Sequence, residues 1–154
     1  MTLKYLTTIQ FEGGKPKSKT VKSGETEQVF NYINGEEKLT YSKKLEKKKW
    51  VEEKYEYNEK GQMINSEIKT GDNKIEKQRF EYHPNGQISS KTTEEQSKGE
   101  ISEDKKIVTV TFDENGKRLH LSRESYWKYE DMEHSSKDEL IFDKIGRASC
   151  RERV

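Results

Sequence analysis

Five stretches of this chain share an aromatic residue, a polar run and a glycine: "FEGGK" at Phe11, "YINGE" at Tyr32, "YNEKGQ" at Tyr57, "YHPNGQ" at Tyr82 and "FDENGK" at Phe112. Their glycines, Gly14, Gly35, Gly61, Gly86 and Gly116, step by 21, 26, 25 and 30 residues. Internal repetition at such a spacing constrains the fold before anything else does. Each copy is one supersecondary unit that cannot bury its own apolar face, so neighbouring copies must supply the burial. The period is loose and the first two copies are degenerate.

The unit reads as a β-hairpin. Tyr55 and Tyr57, Phe80 and Tyr82, and Val110 and Phe112 are each two residues apart, which puts each pair on one face of an extended strand. "NEKG", "HPNG" and "DENG" follow, where Asn, Asp and Pro initiate turns and Gly accepts positive φ. In "HPNG", Pro84 suits the second position of a turn and Asn85-Gly86 is a hairpin signal. After each glycine the alternation resumes, with Leu119 and Leu121 expected to share a face. The expectation is an all-β chain of repeated hairpins in an extended antiparallel meander sheet. Two charged stretches, "EEQSKGEISEDKK" (Glu94 to Lys106) and "KTGDNKIEKQ" (Lys69 to Gln78), carry no apolar stripe and read as exposed connections. "SRESYWKYEDMEHSSKDELIFDK", Ser122 to Lys144, reads as one more strand pair around a polar loop.

Composition agrees with a thin, well-solvated structure. Hydrophobic residues make only 28% of the 154, which would suggest disorder if net charge were high. Instead 30 basic residues face 29 acidic ones, and eight Tyr, five Phe and two Trp supply contact area. The same balance argues against a nucleic-acid partner, which needs an excess of Lys and Arg on one surface. "KKLEKKKW", Lys43 to Trp50, is the nearest candidate and is explained as a solvated strand face. No apolar run approaches the ~20 residues of a membrane span, and "MTLKYLTTIQFEGG" lacks the architecture of a secretory signal. As it stands the sequence reads as cytoplasmic; a leader upstream of Met1 would make it exported.

The pattern aromatic-Tyr-polar-polar-Asn-Gly-Gln-Ile/Leu, from Phe80 to Ile88 and less closely from Tyr55 to Met63, resembles the MORN-repeat-variant units of YwqK-type proteins. These are bacterial proteins often labelled antitoxin components. The resemblance implies a non-catalytic protein-interaction module, an antitoxin or immunity component, with a protein partner; the alternative is an exported or surface-attached repeat protein binding glycan or a host surface. It covers residues 50–122, with 1–49 as degenerate N-terminal repeats and 123–144 as the start of a further, truncated repeat. The spacing is longer than in tightly periodic arrays, and the fuller Gly-rich signature of MORN repeats is missing. The last ten residues, "IGRASCRERV" (145–154), resemble a translated sequencing-library adapter and are expected to be non-native. Removing that tail takes away three Arg, one Glu and the single cysteine, Cys150, and changes the charge balance from +1 to −1. "FDK" then reads as a sixth turn cut before its glycine, leaving an open sheet edge capable of self-association.

No enzyme chemistry is expected. His83, His120 and His134 have no metal-ligand spacing. Ser89, Ser90, Ser122 and Ser125 lie in no nucleophile elbow, and Asp113-Glu114-Asn115-Gly116 lacks the alternating acidic ligands of a calcium loop. Neither a cofactor nor a metal is expected. Tyr55, Tyr57, Phe80, Tyr82 and Phe112 are expected to form what core the chain has. Trp50, Trp127 and Tyr129, outside the repeat pattern, are the candidate protein-binding residues.

Overall fold

The computed structural model describes residues 5–142 and 148–152, the last five as backbone. The chain forms two compact units, Met1–Asp72 and Asn73–Val154. The first holds β1 (Tyr5–Glu12), β2 (Lys15–Ser23), β3 (Thr26–Ile33), β4 (Glu36–Glu46), β5 (Lys49–Tyr57) and β6 (Met63–Thr70). The second holds β7 (Lys74–Tyr82), β8 (Ile88–Lys98), β9 (Ser102–Phe112), β10 (Arg118–Tyr129), β11 (Met132–Phe142) and β12 (Ala148–Glu152). Within each unit the strands are antiparallel and ordered as in the chain. This is the all-β hairpin meander that the turn signals predict.

Within each unit, among the described residues, only consecutive strands pack backbone to backbone, so each unit is a sheet one layer thick. A single layer cannot bury large side chains completely. Among the described residues the buried apolar side chains are Val51 and Leu121, and the most buried residue of all is Ser42. Tyr55, Tyr57, Phe80, Tyr82 and Phe112 are half-buried. The expectation that these aromatics form the core is corrected accordingly. Among the described residues the covered ones are instead Val51, Ser42 and Ser66 in the first unit and Leu121 in the second. Stability rests instead on the backbone ladders and on cross-strand side-chain pairs. Side chains also bond the backbone of the next strand: Tyr57 donates from its hydroxyl to the Leu39 carbonyl at 2.9 Å.

The repeat is written in the backbone more clearly than in the sequence. Every hairpin closed by a repeat glycine carries a register shift next to its turn, leaving one extra residue: Lys17, Thr40, Ile64, Ser89 and Leu119. Such β-bulges raise the local twist and turn one side chain out of the alternation. This explains a difference from the sequence reading. Leu119 and Leu121 do not share an environment, because Leu119 is the extra residue of its bulge and is exposed while Leu121 is buried.

Three turns share one hydrogen-bonding plan. Gly61, Gly86 and Gly116 donate backbone N–H to the carbonyls of Asn58, His83 and Asp113 at 2.9–3.0 Å, and those three residues donate to Gln62, Gln87 and Lys117. Pro84 and Asn85 occupy the centre of their turn, and Gly86 follows at φ +88°, a left-handed conformation that would strain a residue bearing Cβ. Oδ1 of Asn58 and of Asp113 each accepts two further backbone N–H bonds. His83 takes a different partner: its Nε2 lies 2.9 Å from the Phe112 carbonyl of the neighbouring hairpin. Asn85 reaches the same hairpin, donating to the Glu114 carbonyl at 2.9 Å.

The two charged connections are corrected. Glu94 to Lys98 ends β8, Ser102 to Lys106 begins β9, and only Gly99 to Ile101 turns between them. Lys69-Thr70 likewise ends β6 and Lys74 begins β7. In a sheet wet on both sides a strand needs no apolar face, so charge does not forbid it. The longer step between the last two repeat glycines is therefore absorbed by lengthening β8 and β9 to 11 residues each. Asp143 and Lys144, read as a truncated turn, lie outside the described residues. β12, within the stretch read as adapter-derived, pairs with β11 from Phe142↔Ala148 to Asp138↔Glu152.

Candidate functional site

The second unit presents one face on which chemistry changes along the strands. Near the repeat turns it is apolar: Leu121 sits between Val110 and Leu140 in register, with Phe112 and Phe142 on the same side. In the middle it turns polar. Arg123 pairs with Asp138 at 3.9 Å, and the Ser125 and Ser136 hydroxyls share a 2.7 Å hydrogen bond. At the far end it becomes aromatic again. Trp127 stands between Asp104 on β9 and His134 on β11, and Tyr129 between Ser102 and Met132.

Two of the three candidate protein-binding residues are thus brought together, because β10 runs straight through positions 127 and 129. Trp127 is 40% exposed and Tyr129 44%, although both are on a central strand. The Trp127 and His134 rings lie 6.0 Å apart at 35°. Met132 and, in the β8–β9 turn, Ile101 extend the exposed apolar surface. That turn is anchored by the Glu130 N–H, which donates to the Ile101 carbonyl at 2.9 Å. A shallow open depression of about 530 Å³ begins beside Trp127 and is lined further by Glu95, Ser97, Asp104, Lys106 and Ser125. The opposite face holds a second depression, about 1000 Å³, around Ile107, Tyr126 and charged residues. There Lys137 bonds Glu124 at 2.8 Å, and that bond raises the lysine's pKa.

Trp50 belongs to the first unit. It follows the β4–β5 turn, pairs with Leu45, and carries the Lys43 ammonium 4.9 Å from its ring centroid. It is 43% exposed and lies on the face opposite Val51, Tyr55 and Tyr57. Within each unit these exposed aromatics sit at the strand ends remote from the repeat glycines. The β4–β5 turn itself has Lys47 and Lys48 at φ +47° and +66°. Two lysines hold the backbone of a type I′ turn that Asn and Gly adopt far more readily.

The histidines do not converge. His83 holds its turn, His134 meets Trp127, and His120 lies 3.7 Å from Glu139. Among the described residues no group of three His, Cys, Asp or Glu is placed to hold a metal ion. No described helix is long and apolar enough to cross a membrane. Charged residues pair both between strands, as Lys22 with Glu27 at 3.0 Å, and two apart along one strand, as Lys44 with Glu46 at 3.0 Å. In the first unit Glu37 accepts from Lys19 at 2.9 Å and from the Tyr32 hydroxyl at 3.0 Å, while Lys19 also lies 5.2 Å from the Phe30 ring centroid. Those bonds lower the Glu37 pKa and raise that of Tyr32.

Sequence reasoning missed Ile101, Met132 and His134 as members of the aromatic end. The doublet Trp127-Tyr129 was visible as two aromatics two apart. Its companions are set by cross-strand register, which depends on Gly99 making a tight turn between two charged strands. Among known protein families no model matches this chain, and no curated protein matches it.

Proposed function

We propose that this chain is a non-catalytic binding module that engages a protein partner through the aromatic end of β10 and β11. The observation that carries this reading is the exposed Trp127–Tyr129 pair, backed by Met132 and His134 in register. Trp and Tyr are over-represented among residues that dominate binding energy, because they bring large area at small entropic cost. A sheet of single thickness offers such a surface without a deep pocket. The likeness of Phe80 to Ile88 to YwqK-type repeats suggests that the partner is a toxin for which this chain serves as antitoxin or immunity component. A second reading, binding of glycan or a host surface, draws on the Asp104 carboxylate and the serines beside Trp127, since a ring flanked by hydrogen-bonding groups also suits a sugar.

The test is site-specific photo-crosslinking from position 132 in native cells, followed by affinity measurement on the protein captured. Trp127→Ala with Tyr129→Ala should weaken that complex about thirtyfold, the scale of a ~2 kcal/mol hot spot. Trp50→Ala should leave it unchanged. Equal loss from Trp50→Ala, or binding to a glycan array abolished by the same double variant with no protein captured, would overturn the protein-partner reading.

A further inference from the structure

β1 occupies an outer position and has the composition of an inner strand. It pairs with β2 on one side, and among the described residues nothing pairs on the other. Outer strands ordinarily discourage further pairing with charge, proline or twist. β2 has that character, with four lysines and Pro16 in nine residues, and β11 carries Glu133, Lys137, Asp138 and Glu139. β1 does not: "YLTTIQFE" is uncharged until its last residue, Glu12. Its large side chains stand in solvent, with Tyr5 68% exposed, Phe11 65%, Leu6 59% and Ile9 44%. The backbone groups along that edge are satisfied only by another strand or by water.

We propose that the outer edge of β1 pairs antiparallel with β1 of a second copy of this chain, about a twofold axis at Thr8. The strand is self-complementary in that arrangement. Tyr5 falls opposite Phe11 and Thr7 opposite Ile9 on one face, Leu6 opposite Gln10 on the other, and Thr8 opposite its own copy. Aromatic and β-branched residues oppose each other, and no like charges meet over residues 5 to 11. A twofold interface of this kind closes on itself, so association through β1 stops at the dimer. This surface is separate from the aromatic end of β10 and β11.

The experiment uses the full chain and introduces charge on the face of β1 whose partners on β2 are uncharged, since Thr8 pairs with Thr20 and Gln10 with Ser18. Thr8→Lys with Gln10→Lys, and separately Thr8→Glu with Gln10→Glu, place like charges across the twofold axis while opposing no charge in their own sheet. Sedimentation velocity over a concentration series should show a monomer–dimer equilibrium for the parent protein. Either doubly charged variant should dissociate about tenfold more readily, with an unchanged far-ultraviolet spectrum. An equal mixture of the two should recover dimer, and native mass spectrometry should identify it as the mixed species. A parent protein that stays monomeric throughout, variants that dimerise as well as the parent, or a mixture that fails to recover would each overturn the proposal.

Discussion

Leu121→Ala tests whether the second unit is one layer thick in solution. Leu121 is 7% exposed, in register with Val110 on β9 and Leu140 on β11. Truncation removes three carbon atoms, and at ~0.8 kcal/mol per buried methylene the transfer cost is about 2.4 kcal/mol. In a closed core a cavity penalty adds to this and takes such substitutions toward ~5 kcal/mol. Here the cover is half-buried side chains on a face open to water, so water and neighbouring chains can fill the space and the cavity penalty should be near zero. The expected loss is therefore about 2–2.5 kcal/mol. Hydrogen exchange is the suitable assay, because a meander coupled only through neighbours need not unfold all at once. Amides of β9, β10 and β11 should lose protection by that amount, and those of β7 by less. A loss near 4 kcal/mol or above would mean that something packs over this face, and the single-layer account would fall. A loss below ~0.5 kcal/mol would mean that Leu121 is not buried at all.

Two further outcomes follow from the turns and the ion pairs. Replacing Lys47-Lys48 by Asn-Gly should stabilise the β4–β5 hairpin by about 1 kcal/mol, since both positions hold positive φ; thermal unfolding reports it, and destabilisation would show that the lysines make contacts worth more than the backbone strain. The Glu37 carboxyl is favoured in its ionised form by Lys19 and then by Tyr32, so its contribution is complete above the ordinary carboxylate pKa and is lost as pH falls through the lowered folded value. Tyr32, raised by its bond to Glu37, contributes fully below pH 10.0 and loses that contribution as pH rises through its own raised value. Nuclear magnetic resonance titration of Glu37→Gln should return the Tyr32 transition toward the ordinary tyrosine range while leaving Tyr57, which is raised by burial, in place; a Tyr32 transition that does not move would refute the coupling.

The hairpin turns were legible because Asn, Asp, Pro and Gly are placed there by backbone geometry that few other residues tolerate. The strands flanking Gly99 were not. Their charge reads as a loop to any argument that expects an apolar face, and that expectation presumes a second layer. The bulges were equally hidden: Lys17, Thr40, Ile64, Ser89 and Leu119 have nothing in common as side chains, since the irregularity belongs to the pairing. Of the aromatic end, Trp127 and Tyr129 could be named from spacing alone. Met132 and His134 required the β10–β11 register, and Ile101 the β8–β9 turn.

The lengthening of β8 and β9 bears on how such a chain can acquire new surface. An insertion into a loop adds residues that must be ordered at entropic cost whenever they are used. An insertion that extends both arms of a hairpin adds its residues in pairs that hold one another, already ordered by the ladder. Trp127 and Tyr129 lie on strand paired with this extension, opposite Asp104 and Ser102. Their rings are displayed on backbone paired on both sides, at the ends of the strands. An uneven period then reflects hairpin arms of uneven length, and the widest interval between repeat glycines adjoins the exposed Trp127 and Tyr129.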